Sequence, residues 1–189
     1  ATTPSRPSRW GSLAAAPHRT LFFCGTLNLL IASAWWLAHL VARYTGFPLF
    51  ALDLAVAPIW AHSFLILFTV LPTFIFGFLF TTFPRWMNGP EVPRIAYVAA
   101  AALQVAATLV WLAGVHHGTA LQLAGATLAL AALVTALVAL LRVLIDARQV
   151  VSHAVVAATG VAVGIVSLAG FCYGLYVGSE FALHFAVRS

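Results

Sequence analysis

The chain contains no lysine, and its 189 residues include only four acidic side chains, two cysteines and one methionine. Charged residues make up 7% of the chain, whereas soluble domains average about a quarter. This scarcity excludes an ordinary water-soluble domain. The net charge of +5 comes from arginine alone, which in a membrane protein reports orientation and contact with anionic headgroups. No nucleic-acid-binding motif is present, and no nucleic-acid partner is expected.

Several catalytic and cofactor motifs are also missing from the sequence. No Cys-x-x-Cys-His is present, which excludes covalent attachment of a c-type haem. A Rossmann fingerprint, a P-loop and a Ser-His-Asp arrangement are absent as well. These absences leave histidine as the residue type in this chain that is best suited to bind a metal or a cofactor.

Hydrophobic residues make up 63% of the chain, and its mean hydropathy is +1.03. We therefore predict an all-α polytopic transmembrane helix bundle, because each apolar run is long enough to cross a hydrocarbon layer of about 30 Å. The five predicted spans are Arg19 to Ala42, Ile59 to Phe83, Arg94 to Val115, Gly118 to Leu141, and Val151 to Val177. A sixth span is predicted to start at Ser179, although too few residues follow for it to cross.

The distribution of arginine predicts the domain organisation and the orientation. Residues 1–17 are rich in Pro, Ser, Thr and Arg and are predicted to form a flexible basic arm, with the bundle over residues 18–189. Seven of the nine arginines fall on the side of the N-terminus, so the N-terminus is predicted to be cytoplasmic. These seven are Arg6, Arg9, Arg19, Arg85, Arg94, Arg142 and Arg148.

The second span carries a stripe of small and polar residues. It has no charged side chain between Ile59 and Phe83, yet five of its residues are spaced by seven, four, four and four. They are His62, Thr69, Thr73, Gly77 and Thr81. At 3.6 residues per turn they share one face, which lets another surface approach the backbone closely. That surface could be a neighbouring helix or the flat ring of a cofactor.

Two prolines are predicted to shape this span. Pro72 removes one helical hydrogen bond and should kink the helix in mid-membrane, where a threonine hydroxyl can satisfy the freed carbonyl. Pro84 is predicted to end the helix because it cannot continue the hydrogen-bond ladder.

The seven histidines are the candidate ligands, because imidazole is the usual nitrogen ligand of haem iron and copper. Five of them are predicted in the outer half of the membrane: His39, His62, His116, His117 and His184. A site could be built from His62 and one of the others. Simpler interpretations remain for several: a solvated turn at His116 and His117, and an interfacial position in the headgroups for His39.

Two sequence elements together resemble the NnrS family of bacterial membrane haem and copper proteins. The run Gly77-Phe-Leu-Phe-Thr-Thr-Phe-Pro-Arg-Trp86 follows fifteen residues after His62, which lies in a Trp-x-His context. Upstream, Pro17-His18-Arg19 with the following Leu-Phe-Phe resembles the family's N-terminal histidine element. The resemblance covers Pro17 to Pro93, and continues after that only in hydropathy.

The resemblance implies a multi-pass protein of the bacterial inner membrane that binds b-type haem, with copper as a further candidate, and functions in nitric-oxide metabolism or protection. It implies that nitric oxide or a similar small gas is the ligand and that the chain is the N-terminal half of a longer protein. On this basis His62, Thr69, Thr73 and Gly77 are the candidate cofactor contacts. The candidate metal ligands are His62, His39 and His18, the last because it matches the family's N-terminal histidine. A catalytic reaction is not assigned.

One departure from the family pattern supports an alternative. Many members carry Trp-His-Ala-His-Glu-Met at the start of this helix, but Phe64 and Leu65 stand where the second histidine and the glutamate would fall. The alternative is a non-catalytic accessory subunit that docks on partner membrane subunits through small residues of the fifth span. The ridge consists of Gly160, Gly164, Gly170, Gly174 and Gly178.

Overall fold

The structure is a computed structural model that describes residues 12–47, 54–179, 183–184 and 186–187. Every regular element within these ranges is a helix, and five helices are long and apolar enough to span a membrane. They are α1 (Pro17–Thr45), α2 (Pro58–Trp86), α3 (Arg94–His117), α4 (Thr119–Ile145) and α5 (Ser152–Val177). The predicted all-α bundle of five spans is confirmed, and the bilayer is its environment.

Helix α2 is interrupted by one wide turn. An α-helical start, Pro58–Phe64, leads into a π-helical segment, Leu65–Val70, and the α-helix resumes at Leu71–Trp86. The N–H of Leu71 donates to the carbonyl of Ile66 five residues back, directly before Pro72, which has no N–H to donate. The disturbance predicted at Pro72 therefore takes the form of a π turn on its N-terminal side.

The prediction that Pro84 ends this helix is wrong, because the helix continues through it to Trp86. Proline removes only its own N–H from the ladder, and its carbonyl remains available as an acceptor. Gly89 N–H donates to the Pro84 carbonyl at 2.9 Å, so this proline contributes to the helix end that follows it.

The helices alternate in direction and give the bundle two chemically different ends. α1 and α2 are antiparallel, since His18 meets Thr81 at one end and Trp36 meets His62 at the other. The arginine-rich end is defined by Arg19, Arg85, Arg94, Arg142 and Arg148. The histidine-rich end is defined by His39, His62, His116, His117 and His184. That the arginine-rich end faces the cytoplasm stays a prediction.

Helix α2 lies at the centre of the bundle. In the most apolar stretch of 18 residues, 61% of α2 is buried, whereas only 22% of α5 is buried in its corresponding stretch. Helix α2 packs against α1, α3 and α4. Bulky side chains from α2, α3 and α5 fill the space around it. The largest of those that are fully buried are Trp111, Phe64, Phe76, Phe80, Phe83 and Phe171.

Helices α3 and α4 form the most extensive contact in the bundle, because their connection is short and their backbones approach closely. Only Gly118 separates them, and its φ of 120° is a conformation that side chains other than glycine rarely adopt. About two turns further on, Gly125 faces Trp111. A Cβ atom at Gly125 would lie 2.7 Å from the Trp111 backbone nitrogen, so these helices touch through their main chains.

The segments that flank the bundle are only partly described. Residues 1–11 of the predicted basic arm lie outside the described residues. The remainder of that arm is bonded to the bundle, since Tyr97 Oη donates to the Ala14 carbonyl at 2.8 Å and Thr20 Oγ1 to the Leu13 carbonyl at 3.0 Å. Beyond α5, Leu183 N–H donates to the Ser179 carbonyl at 3.2 Å, and the sixth span stays a prediction.

Candidate functional site

The histidine-rich end contains a stacked group of aromatic rings, which we call the histidine–tryptophan cluster: Trp35, Trp36, His39, His62 and His116. The His62 imidazole stacks on the Trp36 indole, with ring centroids 4.3 Å apart and planes 21° apart. His39 stacks on the same indole at 5.6 Å and 23°. The first turn of α2 and the last third of α1 thus place two imidazoles against one tryptophan.

Both imidazoles carry a nitrogen without a hydrogen-bond partner. His62 Nδ1 and His39 Nε2 are buried, and neither has a partner in the described residues. A buried polar atom is costly unless it is bonded, and such exceptions call for an explanation such as a metal or an ordered water. The neutral imidazole nitrogen is a common metal ligand. Each of these two nitrogens is therefore a candidate ligand for iron or copper.

The interfacial position predicted for His39 is wrong. Its side chain is only 8% exposed, because it lies under the paired indoles of Trp35 and Trp36 and not among lipid headgroups.

The adjacent histidines of α3 have different surroundings. Both lie in the last turn of the helix, not in the predicted turn. His116 Nε2 accepts a hydrogen bond from Trp35 Nε1 at 3.2 Å, whereas His117 is exposed. The bonded nitrogen of His116 is thus occupied by the indole, which links α1 to α3 beside the two stacked imidazoles.

The backbone at His62 is held by contacts on the far side of α2. Trp111 Nε1 donates to the carbonyl of Ala61 at 3.3 Å, and its ring stacks on Phe64 at 3.8 Å. Close by, His184 meets the edge of Trp60 at 4.5 Å. These contacts fix the first turn of α2 and with it the position of the His62 side chain.

The small polar stripe of α2 is occupied by α1. Thr69 and Thr73 are fully buried, and each hydroxyl donates to the carbonyl four residues back. A Cβ atom at Gly77 would lie 2.6 Å from the Phe22 ring, and Phe74 in turn approaches Gly25. The predicted close approach is thus made by a neighbouring helix. A macrocycle on this face would require α1 to move away, so a cofactor role for these residues stays a prediction.

His18 lies at the opposite end of the bundle from His62. Its Nδ1 is 3.5 Å from Thr81 Oγ1, and nineteen residues of α2 separate Thr81 from His62, about 28 Å of helix rise. His18 and His62 therefore cannot bind the same metal ion. Within the described ranges, no group of three or more histidine, cysteine or acidic side chains is arranged to hold a metal.

The two sequence elements that resemble the NnrS family meet in the structure. The N-terminal element contacts the later run through two pairs, His18 with Thr81 and Phe22 with Gly77. The family model described as NnrS protein matches residues 12–188, nearly the whole chain. The chain belongs to the NnrS family.

The family match extends the resemblance well past Pro93, through the last three helices. Membership of the NnrS family points to a nitric-oxide-related membrane protein, and the bundle is multi-pass. No curated protein and no solved structure matches the chain significantly.

Trp35 and Trp36 were not predicted from the sequence to contact the histidines. Both contacts with α2 and α3 are tertiary, since His62 and His116 lie far along the chain. One local signal was available: a tryptophan pair with His39 one turn later places three rings on neighbouring positions of a single helix.

Proposed function

We propose that this NnrS-family protein binds b-type haem at the histidine-rich end of the bundle and functions in nitric-oxide metabolism or protection in the bacterial inner membrane. The observation that supports the haem site is the pair of buried, unpartnered imidazole nitrogens on His62 and His39. Family membership supports the link to nitric oxide.

The number of available ligands favours haem over a copper ion held by protein alone. The porphyrin supplies four nitrogens, so haem iron needs one or two protein ligands. A copper centre usually needs three or more ligands from the protein. The described residues provide two unpartnered imidazole nitrogens and no group of three candidate ligands. This number of ligands is enough for haem iron but fewer than a copper ion usually needs.

Each residue of the site has a distinct task in this proposal. His62 would hold the haem iron through its imidazole, and His39 is the candidate for a second protein ligand. Trp36 restricts the rotation of both rings through stacking. Trp111 holds the backbone of the turn that carries His62. The apolar surroundings exclude water while admitting a neutral gas, and the bound iron supplies a centre that can coordinate nitric oxide.

The experiment is pigment and metal analysis of the full chain purified in mild detergent. We expect a pyridine haemochrome of b-type haem, a reduced-minus-oxidised difference in the Soret region, and a shift of that band when nitric oxide is added anaerobically. Elemental analysis of the same sample measures copper. Absence of haem from protein made with ample haem supply would contradict the proposal. Copper found without haem would contradict it as well and would show that the site binds copper instead.

The accessory-subunit alternative is supported by the exposure of α5. A Cβ atom added at Gly160 would meet no atom of another helix within 4 Å, and a cavity of about 450 Å³ beside the same helix has a predominantly apolar surface. The glycine ridge does not form one face, however: Gly164 approaches Leu133 of α4, and Gly178 ends α5 with a φ of 67°. Haem-free protein that co-purifies with a membrane subunit, and loses it on Gly160→Leu, would favour this alternative.

A further inference from the structure

The arginine-rich end contains a cavity of about 520 Å³ that the haem proposal does not use. Its walls come from the segment before α1, the last turns of α2 and the start of α3. The polar and charged residues among those that line it are His18, Thr81, Arg85, Glu91, Arg94 and Tyr97. Both family-type sequence elements thus contribute to one concave surface at the membrane boundary.

The charge of this cavity is positive. Arg85 and Arg94 both line it, and neither forms an ion pair with any acidic side chain in the part of the chain that the structure describes. Glu91 is the one acidic residue among its lining residues, so two guanidinium groups face one carboxylate. A guanidinium group presents a fork of N–H donors that matches the oxygens of a phosphate.

His18 forms part of a third side of the cavity. Thr81 Oγ1 donates to the Gly77 carbonyl at 2.9 Å, so it accepts from His18 Nδ1–H, which lies 3.5 Å away. This contact holds the His18 ring against Thr81 at the wall of the cavity.

The walls are fixed before any ligand arrives. Tyr97, 4% exposed, donates its hydroxyl to the Ala14 carbonyl and so closes the segment before α1 against α3. Both α1 and α3 begin at this cavity without a side-chain cap and without an acidic residue in the first turn. Their partial positive charge adds to that of the two arginines.

We propose that this cavity binds a phosphate group, carried either by an anionic phospholipid headgroup or by a soluble phosphate compound. The two guanidinium groups supply the charge and the forked donors. Basic pockets between membrane helices on one side of the bilayer are suited to such headgroups. The cavity lies at the opposite end of the bundle from the histidine-rich end, so this proposal does not depend on the proposed haem site.

The test measures the binding of phosphatidylglycerol, phosphatidylcholine and inorganic phosphate to the delipidated full chain, by native mass spectrometry and by ligand-induced thermal shift. We expect selective retention of phosphatidylglycerol over phosphatidylcholine. Each of Arg85→Gln and Arg94→Gln should weaken that binding about tenfold or more, since each removes a charge-assisted contact. Arg142→Gln is the matched control, because Arg142 is exposed at the same end but outside this cavity.

The competition arm distinguishes the two sources. If millimolar phosphate displaces the lipid, the site recognises the phosphate group itself and a soluble ligand is supported; if it does not, the lipid headgroup is supported. Equal loss of binding in Arg142→Gln, or no selectivity for phosphatidylglycerol and no binding of phosphate, would overturn the proposal. Arg85 and Arg94 are exposed, and unchanged unfolding without ligand verifies that the variants fold.

Discussion

Replacing Gly125 with alanine tests one of the close backbone contacts between α3 and α4. The added methyl group would lie 2.7 Å from the Trp111 nitrogen and 2.8 Å from its Cα. Both are main-chain atoms and cannot rotate away, so α3 and α4 must separate by about 0.7 Å to reach ordinary contact distance. Separation also pulls Trp111 from Phe64 and from the carbonyl of Ala61.

The expected cost can be bounded from these contacts. Overpacking costs about 1–3 kcal/mol, and alanine recovers up to about 1 kcal/mol over glycine in a helix. We expect a net loss of about 1–2 kcal/mol in the free energy of unfolding, or about 2–8 °C in the midpoint of thermal unfolding. Intrinsic fluorescence of the six tryptophans, recorded on the purified protein in detergent, measures this midpoint.

Gly160→Ala is the control, because it is the same substitution in a helix but meets no atom within 4 Å. It should leave the midpoint unchanged or raise it by the propensity gain alone. The reasoning would be refuted if Gly125→Ala unfolded at or above the wild-type temperature, or if both variants shifted the midpoint equally.

Three further predictions concern the contacts of α1 and the orientation. Gly77→Leu should destabilise the bundle by about 1–3 kcal/mol, and Phe22→Ala in the same chain should recover part of this loss, which a double-mutant cycle of unfolding free energies measures. Trp35→Phe keeps an aromatic ring at this position but removes the N–H that donates to His116, and thermal unfolding should show a loss of about 1 kcal/mol in the free energy of unfolding. In an otherwise cysteine-free chain, the His117→Cys variant should react with an impermeant maleimide in intact cells, whereas the Gln149→Cys variant should react only after lysis. The reverse pattern of labelling would contradict the prediction that the arginine-rich end faces the cytoplasm.

The membrane spans and the concentration of arginine at one end of the bundle were predictable, because each depends only on the local composition of the sequence. Each apolar run had a length that the bilayer dictates, and the helices begin and end within a few residues of the predicted limits. The stripe on α2 was predictable for the same reason, since helical periodicity alone aligns Thr69, Thr73 and Gly77.

The occupant of that stripe was not predictable from α2. A neighbouring helix and a flat cofactor both need small residues on the face they approach, so the pattern cannot distinguish them. The answer lies in Phe22 of α1, whose ring lies against Gly77. Likewise, the wide turn before Pro72 depends on how the helix compensates a missing N–H, which has several solutions of similar energy.

The site at the histidine-rich end was only half predictable. The residue type that carries the chemistry follows from the composition, because histidine is the one metal ligand present in number. Its surroundings depend on pairs distant in sequence, such as Trp36 with His62. The resemblance added His18, and the structure places that residue beside Thr81 in the cavity at the arginine-rich end, which is about 28 Å of helix rise from His62.

The most direct test of the central claim is the molar ratio of haem to protein in three single variants purified in parallel. His62→Ala and His39→Ala each remove one unpartnered imidazole, and His117→Ala removes an exposed histidine at the same end. We predict that His62→Ala loses the haem, that His39→Ala loses it or shifts its reduced spectrum, and that His117→Ala retains the wild-type ratio and spectrum. A wild-type haem content and spectrum in both His62→Ala and His39→Ala would contradict the account.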